Sequence, residues 1–261
     1  MSRIDEKFAQ LRKEGRIAFM PFLVAGDPDF ETGLRLAEKI IPSADLLEIG
    51  FPYSDPLADG PIIQAADNRA LAAGMNTDRV FAFIKEIRKI SEIPISVLVY
   101  ANLVYQRGIS RFYRDAKKAG IDGVLIPDVP VEESSPFVDA SRKADVDPIF
   151  LVTQTTTSKR LKKILARAKG YLYLVSVLGV TGTRATLASE MPRVIRSIKK
   201  HTDLPLAVGF GISKKEHIHA LHTAGADGAI VGSALVKIIG ENSENKDRLL
   251  SRMTKAVRAF V

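Results

Sequence analysis

Eight short apolar runs, with helix-period segments between them, constrain this chain more than any other feature. They are IAFMPFLVAG (17–26), DLLEIG (45–50), IPISVLVYA (93–101), DGVLIPD (122–128), DPIFLV (147–152), YLYLVSV (171–177), LPLAVGFG (204–211) and DGAIVGSAL (227–235). None alternates strictly between apolar and polar residues. Each is therefore expected to be buried on both faces, as in a parallel sheet. Their starts recur about every 25–45 residues, the length of one strand–helix unit. Two segments about a hundred residues apart, KKAGIDG (117–123) and HTAGADG (222–228), are near copies. In each, Gly supplies a left-handed helix cap and Asp begins the turn into the next strand. Eight such units predict an α/β fold: a closed (β/α)8 TIM barrel. The rival is a doubly wound open sheet, whose Gly-rich dinucleotide loop is missing from AGDPDF after the first run. A helix over residues 4–13 precedes the first strand and another follows residue 243. Both are expected to close the barrel's ends. No linker divides the chain, so residues 1–261 are taken as one domain.

Composition narrows the function classes. The chain has 46% hydrophobic and 26% charged residues, enough for a packed core. It has no cysteine, which removes disulfides, thiolate metal sites and a Cys nucleophile. The amino terminus is charged throughout and no window approaches ~18 apolar residues, so a cytoplasmic, membrane-free protein is expected. Net charge is +8. The densest basic stretch, SKRLKKILARAK (158–169), sets its cations at helical spacing with no aromatic residues between them. It reads as a solvated helix face, or as steering for an anion, and no nucleic-acid partner is expected.

In a barrel the chemistry sits in the loops after the strands. After the second strand comes EIGFPYSDPLADGPIIQAADNRAL (48–71). Glu48 stands between Leu47 and Ile49, so its carboxylate faces the barrel interior or a cleft. Burial without a cation raises its pKa toward that of a proton-transfer group. The plainer alternative is a structural Glu paired with a donor on a neighbouring strand. Asp55 and Asp59 follow in a loop stiffened by Pro52, Pro56 and Pro61. These three carboxylates could also hold a divalent cation, but no nearby His or second acidic cluster completes such a site, so no metal is expected. After the sixth strand, SVLGVTGTRATLASE (176–190) is long and rich in small residues: a lid or a plain surface loop. GFGIS (209–213) and VGSALV (231–236) each place Gly and Ser at a helix entrance, where free N–H groups favour a phosphate. Tight turns are the alternative. His217, His219 and His222 share a helix outside the barrel and have no base partner. These residues outline a barrel enzyme using a buried Glu and a loop Asp on a phosphorylated small molecule.

The run from Glu48 through Gly60, EIGFPYSDPLADG, closely resembles the signature of the tryptophan synthase α subunit family. PFLVAGDPD (21–29), YANLVYQRG (100–108), DVPVEES (128–134), GVTGTR (179–184), GFGIS and VGSALV agree with it at matching spacing. The resemblance implies retro-aldol cleavage of indole-3-glycerol phosphate to indole and glyceraldehyde 3-phosphate. It implies Glu48 as the general acid/base and Asp59 as the carboxylate holding the indole N–H. Phe22, Tyr100, Tyr173 and Phe210 match the indole pocket. Thr181 matches a lid residue, and Gly182, Gly211, Gly232 and Ser233 match phosphate-holding positions. It also implies a β subunit in an α2β2 complex, met around Asp55, Pro56, Asn102 and Asp128. Pyridoxal phosphate belongs to that β subunit alone, so no cofactor is expected in this chain. Phe51 and Tyr53 depart from the family, which often has an aliphatic residue and Phe there. Val177-Leu178 and Gln154 also depart. A stand-alone indole-releasing lyase and a silent barrel that activates its partner are the competing readings.

Overall fold

The computed structural model describes residues 1–175, 184–209 and 211–261, with 184–189 given by backbone alone. The strands are β1 (Ala18–Val24), β2 (Leu47–Gly50), β3 (Ile95–Leu98), β4 (Gly123–Leu125), β5 (Asp147–Thr153), β6 (Leu172–Val175), β7 (Leu206–Gly209) and β8 (Gly228–Val231). All neighbours pair in parallel, and β8 returns to β1, closing the barrel. The helices are α1 (Arg3–Lys13), α2 (Phe30–Ile40), α3 (Pro61–Ala72), α4 (Thr77–Ile90), α5 (Ala101–Arg107), α6 (Ile109–Ala119), α7 (Ser135–Lys143), α8 (Ser158–Leu165), α9 (Arg184–Lys199), α10 (Lys215–Ala224), α11 (Ser233–Asn242) and α12 (Lys246–Arg258).

Local chemistry sets the helix ends. Ser2 and Asp5 form a reciprocal capping box at α1, while Asp29, Asn76, Thr157 and Asn245 accept from the third backbone N–H of their helices. The two near-copy segments end as expected: Gly120 and Gly225 are left-handed C-caps at φ 88° and 98°.

The Asp that follows each cap does more than start a turn. Asp122 accepts from the Ile95 N–H at the foot of β3, and Asp227 accepts from the Leu206 N–H at the foot of β7. Asp45 does the same for Phe19 in β1. Each ties an even strand to its predecessor at the barrel floor. Helix α1 covers that floor. It buries Ile4, Phe8 and Leu11, with the Phe8 ring 6.0 Å from that of Tyr171.

The carboxyl-terminal helix departs from expectation. α12 does not close a barrel end; it packs on α2 and α11 in the outer ring. The reason is α11, which leaves the mouth directly after β8 and packs on α3 and β1. The slot beside α2 then falls to α12. Its stripe of Leu249, Leu250, Met253 and Val257 fills the slot, and Phe260 stacks on Phe19. The basic segment forms α8, with Leu161 and Ile164 buried and Arg160 and Lys163 paired with Glu132. That is a solvated face.

Candidate active site

Strand register explains why Glu48 points inward. Its Cα partners are Phe22 on β1 and Ser96 on β3, and alternate residues of a strand share a face. Across the barrel, the Tyr171 hydroxyl lies 2.9 Å from Ser96 Oγ. These residues therefore share one interior layer. Tyr173 follows two residues later, one layer nearer the mouth.

The mouth has room for its rings because two strand ends are glycine. A Cβ on Gly50 would stand 2.7 Å from Phe22 Cζ, and one on Gly209 would stand 2.4 Å from the Tyr173 hydroxyl. Neither distance is tolerable for an alanine. Gly209, read from sequence as part of a phosphate turn, thus makes space for a ring. A Cβ on Gly232 would also touch Phe22, at 3.4 Å, which places Phe22 between β2 and the head of α11.

Glu48 is completely buried, and among the described residues both its carboxylate oxygens lack a hydrogen-bond partner. The Tyr171 and Tyr173 hydroxyls lie beside it and oppose the rise in its pKa. A buried carboxyl without a donor disfavours the charged form. Desolvation, reinforced by the nearby Asp59 charge, pushes Glu48 up to about 8. The structural alternative, a Glu paired with a neighbouring strand's donor, does not describe this side chain.

Asp59 lies above it on the β2–α3 loop. The Tyr100 hydroxyl donates to Asp59 Oδ2 at 2.7 Å and accepts from the Ala58 N–H at 3.0 Å. Burial raises the Asp59 pKa, and the hydrogen bond from Tyr100 opposes that rise. Tyr100 thus holds Asp59 in place through its hydroxyl. Tyr53 stacks on Tyr100 with ring centroids 5.0 Å apart, and Asn102 Nδ2 donates to the Tyr53 hydroxyl at 3.1 Å. A Phe at position 53 would stack but could not accept that bond. This departure ties the loop to the first turn of α5.

α11 begins at Ser233 with Gly232 as N-cap and no side-chain cap, so among the described residues the Ser233 and Ala234 N–H groups have no acceptor. Gly211 takes φ +42°, a left-handed conformation that favours glycine, and a Cβ there would meet nothing. Thr181, Gly182 and Phe210, with the expected lid (176–190), fall wholly or largely outside the described residues.

Of the residues matched to a partner surface, Asp55, Asn102 and Asp128 are exposed, while Pro56 is buried. Asp128 also accepts from the Ala101 N–H and so caps α5. Beside Pro56, Leu57 is 96% exposed, a large apolar side chain held in water by a Pro-stiffened loop. Asp55 accepts from the Ser54 hydroxyl at the surface. Among the described residues no three acidic or histidine side chains are placed to hold a metal.

Sequence reasoning passed over several functional neighbours. Tyr171 was legible as the residue two before Tyr173, and so on the same strand face. The Asp27–Arg69 pair was not legible. Arg69 donates through Nε and Nη2, each at 2.8 Å, to the two oxygens of Asp27, joining the β1–α2 loop to α3. Buried Asp67, two residues before Arg69 in the same helix, gave no signal either.

A family model described as tryptophan synthase alpha chain matches residues 8–260. The tryptophan synthase alpha chain of Methanoregula boonei is 53% identical over 250 residues, covering 95% of this chain and 93% of that protein. That of Methanothermobacter thermautotrophicus is 47% identical, covering 93% and 90%. The structure of tryptophan synthase subunit alpha from Legionella pneumophila superposes with a TM-score of 0.92 at 34% identity, covering 100% of this chain and 97% of that one. A chain of the tryptophan synthase complex from Pyrococcus furiosus superposes with a TM-score of 0.84 at 36% identity, covering 93% and 97%.

Proposed function

The chain belongs to the tryptophan synthase alpha chain family, and from that premise we propose that it cleaves indole-3-glycerol phosphate to indole and glyceraldehyde 3-phosphate. One observation carries the assignment to these residues: a wholly buried Glu48 without hydrogen-bond partners among the described residues, close enough to Asp59 to feel its charge.

The chemistry needs an acid first. Indole is a poor leaving group as a carbanion, so its carbon 3 must gain a proton before the side chain departs. At pH 7 Glu48, pushed up to about 8, is mostly the neutral acid. It gives its proton to carbon 3, and positive charge develops on the ring. The carboxylate left behind takes the proton of the adjacent side-chain hydroxyl. The bond between carbon 3 and the side chain breaks, and its electrons return to the ring. The hydroxyl carbon becomes the aldehyde of glyceraldehyde 3-phosphate. Asp59, held by Tyr100, accepts the indole N–H and stabilises the cationic ring. Phe22, Tyr100, Tyr173 and Phe210 line the indole pocket. Gly182, Gly211, Gly232 and Ser233 hold the phosphate, and Thr181 belongs to the lid.

This is proton transfer and charge stabilisation, for which the chain needs neither metal nor cofactor of its own. Pyridoxal phosphate belongs to the β subunit, which receives the indole in an α2β2 complex. Asp55, Pro56, Asn102 and Asp128 form the docking surface, with exposed Leu57 next to Pro56 in the chain. Among the described residues no helix is long and apolar enough to cross a membrane, and we place the chain in the cytoplasm.

The test is indole release from indole-3-glycerol phosphate, measured for the chain alone and with a β subunit. Weak release alone and strong stimulation by the partner are expected. Rapid release without a partner would mark a stand-alone lyase. No release under either condition would leave the silent-barrel reading.

A further inference from the structure

The layer that holds Glu48 contains a pair of hydroxyls that the chemistry above does not use. Ser96 is the Cα partner of Glu48 on β3, and both residues are wholly buried. Neighbouring strands run about 4.8 Å apart, so the Ser96 hydroxyl stands beside the Glu48 side chain. Tyr171 reaches the same place from across the barrel, and its hydroxyl donates to Ser96 Oγ at 2.9 Å. The Tyr171 ring is wholly buried and packs on Phe8 of α1 with centroids 6.0 Å apart. On its other side Ser96 is paired with Gly123 of β4, which brings no polar side-chain atom.

The direction of the Tyr171 O–H matters because Glu48 lacks a donor. Asp59 faces Glu48 from the β2–α3 loop, and Tyr173 on β6 and Tyr171 just before it face it from across the barrel. Its register partner on β1 is the uncharged Phe22. None of these groups is a cation. Among the described residues neither Glu48 oxygen has a hydrogen-bond partner. A phenol has one proton to give. Given to Ser96, it is withheld from Glu48, and a buried carboxyl without a donor keeps its own proton.

We propose that Ser96 is a positioning residue for Glu48: it holds the Tyr171 O–H away from the carboxyl and so keeps the acid protonated. The proposal rests on the reading of Glu48 as proton donor given above. Without the Ser96 oxygen, the Tyr171 hydroxyl becomes a buried donor in need of an acceptor. Rotation about its C–O bond, with the ring still on Phe8, turns the proton to Glu48. That bond favours the carboxylate, and the acid is then lost at lower pH.

The test uses Ser96→Ala, which removes the acceptor and little volume. The first measurement is kcat/KM against pH with a β subunit present. The reaction needs Glu48 in its acid form, so activity falls as pH rises through its pKa, about 8 in the parent. In Ser96→Ala that fall should begin about one pH unit earlier, a loss of about tenfold relative to the parent above pH 9. A limb that stays in place or moves up would overturn the proposal. Ser96→Ala/Tyr171→Phe has no hydroxyl to redirect, and its limb should return to the parent's position or above. A double variant that behaves as Ser96→Ala would overturn it too. Tyr171→Phe alone should leave the limb at or above the parent's, and a downward move would count against the proposal. The second measurement needs no turnover. In protein labelled with carbon-13 at glutamate carboxyls, the Glu48 resonance, identified by its loss in Glu48→Gln, is titrated in the same variants. Its midpoint should move as the limb does, down in Ser96→Ala and back in the double variant. Absence of cleavage by the parent would count against the lyase reading, while this titration would still decide where the Tyr171 proton goes.

Discussion

The floor and the mouth of this barrel use the same kind of side chain in opposite ways. At the floor, Asp122 meets Arg3 at 3.0 Å and Arg88 at 2.6 Å, and Asp227 meets Lys199 at 2.7 Å. Asp45 faces Arg16 at 3.3 Å, and Asp147 meets Lys169 at 2.9 Å. Three of the four also accept a strand N–H. At the mouth, Glu48, Asp59 and Asp67 have no cation within reach among the described residues, and all three pKa values move up. Compensated carboxylates fix strands in place. Of the uncompensated ones, Glu48 and Asp67 are pushed up to about 8, close to neutral pH. Asp27 is the exception that marks the border: it follows β1 on the mouth side, yet Arg69 grips it and it serves architecture.

The sharpest way to break this comparison is Glu48→Gln. It keeps the shape and removes the proton, so turnover in the indole-release assay should fall ~10²–10⁴-fold. Near-normal turnover would reject the role. The same variant carries a stability signature. The folded pKa of Glu48, about 8, lies above the ordinary 4.5, so the folded parent binds more protons than the unfolded chain between those values. Stability of the parent should fall as pH rises through that window, and Glu48→Gln should lose that part of the dependence in urea titrations. Asp59→Asn should lower kcat by roughly 10²–10³-fold while inorganic phosphate still competes, because the anion site is built from other elements.

At the floor the expectation inverts. Asp122→Ala takes the paired carboxylate from Arg88, whose side chain is 11% exposed and keeps only backbone carbonyl acceptors, and frees the Ile95 N–H. It should cost about 3–5 kcal/mol in chemical denaturation, with kcat little changed at temperatures where the variant is folded. Loss of kcat with unchanged stability would erase the distinction between the two faces. The smallest effect should come from Tyr53→Phe, which keeps the stack on Tyr100 and removes only the acceptor for Asn102. About 0.5–1.5 kcal/mol of stability is expected to go with that bond. A change in stimulation by the β subunit without a change in basal rate would assign the bond to coupling.

Much of this was legible in the sequence because it depends on periodicity and local chemistry. Eight doubly buried runs have few ways to cover themselves other than a closed parallel barrel. Gly120 and Gly225 announce their caps, since few other residues adopt that conformation. Glu48 is conspicuous because a carboxylate inside an apolar strand must face the barrel interior or a cleft. By contrast, α12 carried the same stripe whether it closed an end or joined the ring. What decided its place was α11, which had already turned away over the mouth.

The sequence by itself thus determined the barrel, the strand carrying the buried Glu48 and the helix entrance at Gly232, all consequences of spacing along the chain. Only the tertiary structure decided which carboxylates are compensated. Asp27 and Arg69 are 42 residues apart, Arg88 and Asp122 34, and Tyr100 and Asp59 41. Spacing along a strand fixes which way a side chain faces, but the charge it keeps depends on what the fold brings within 3 Å.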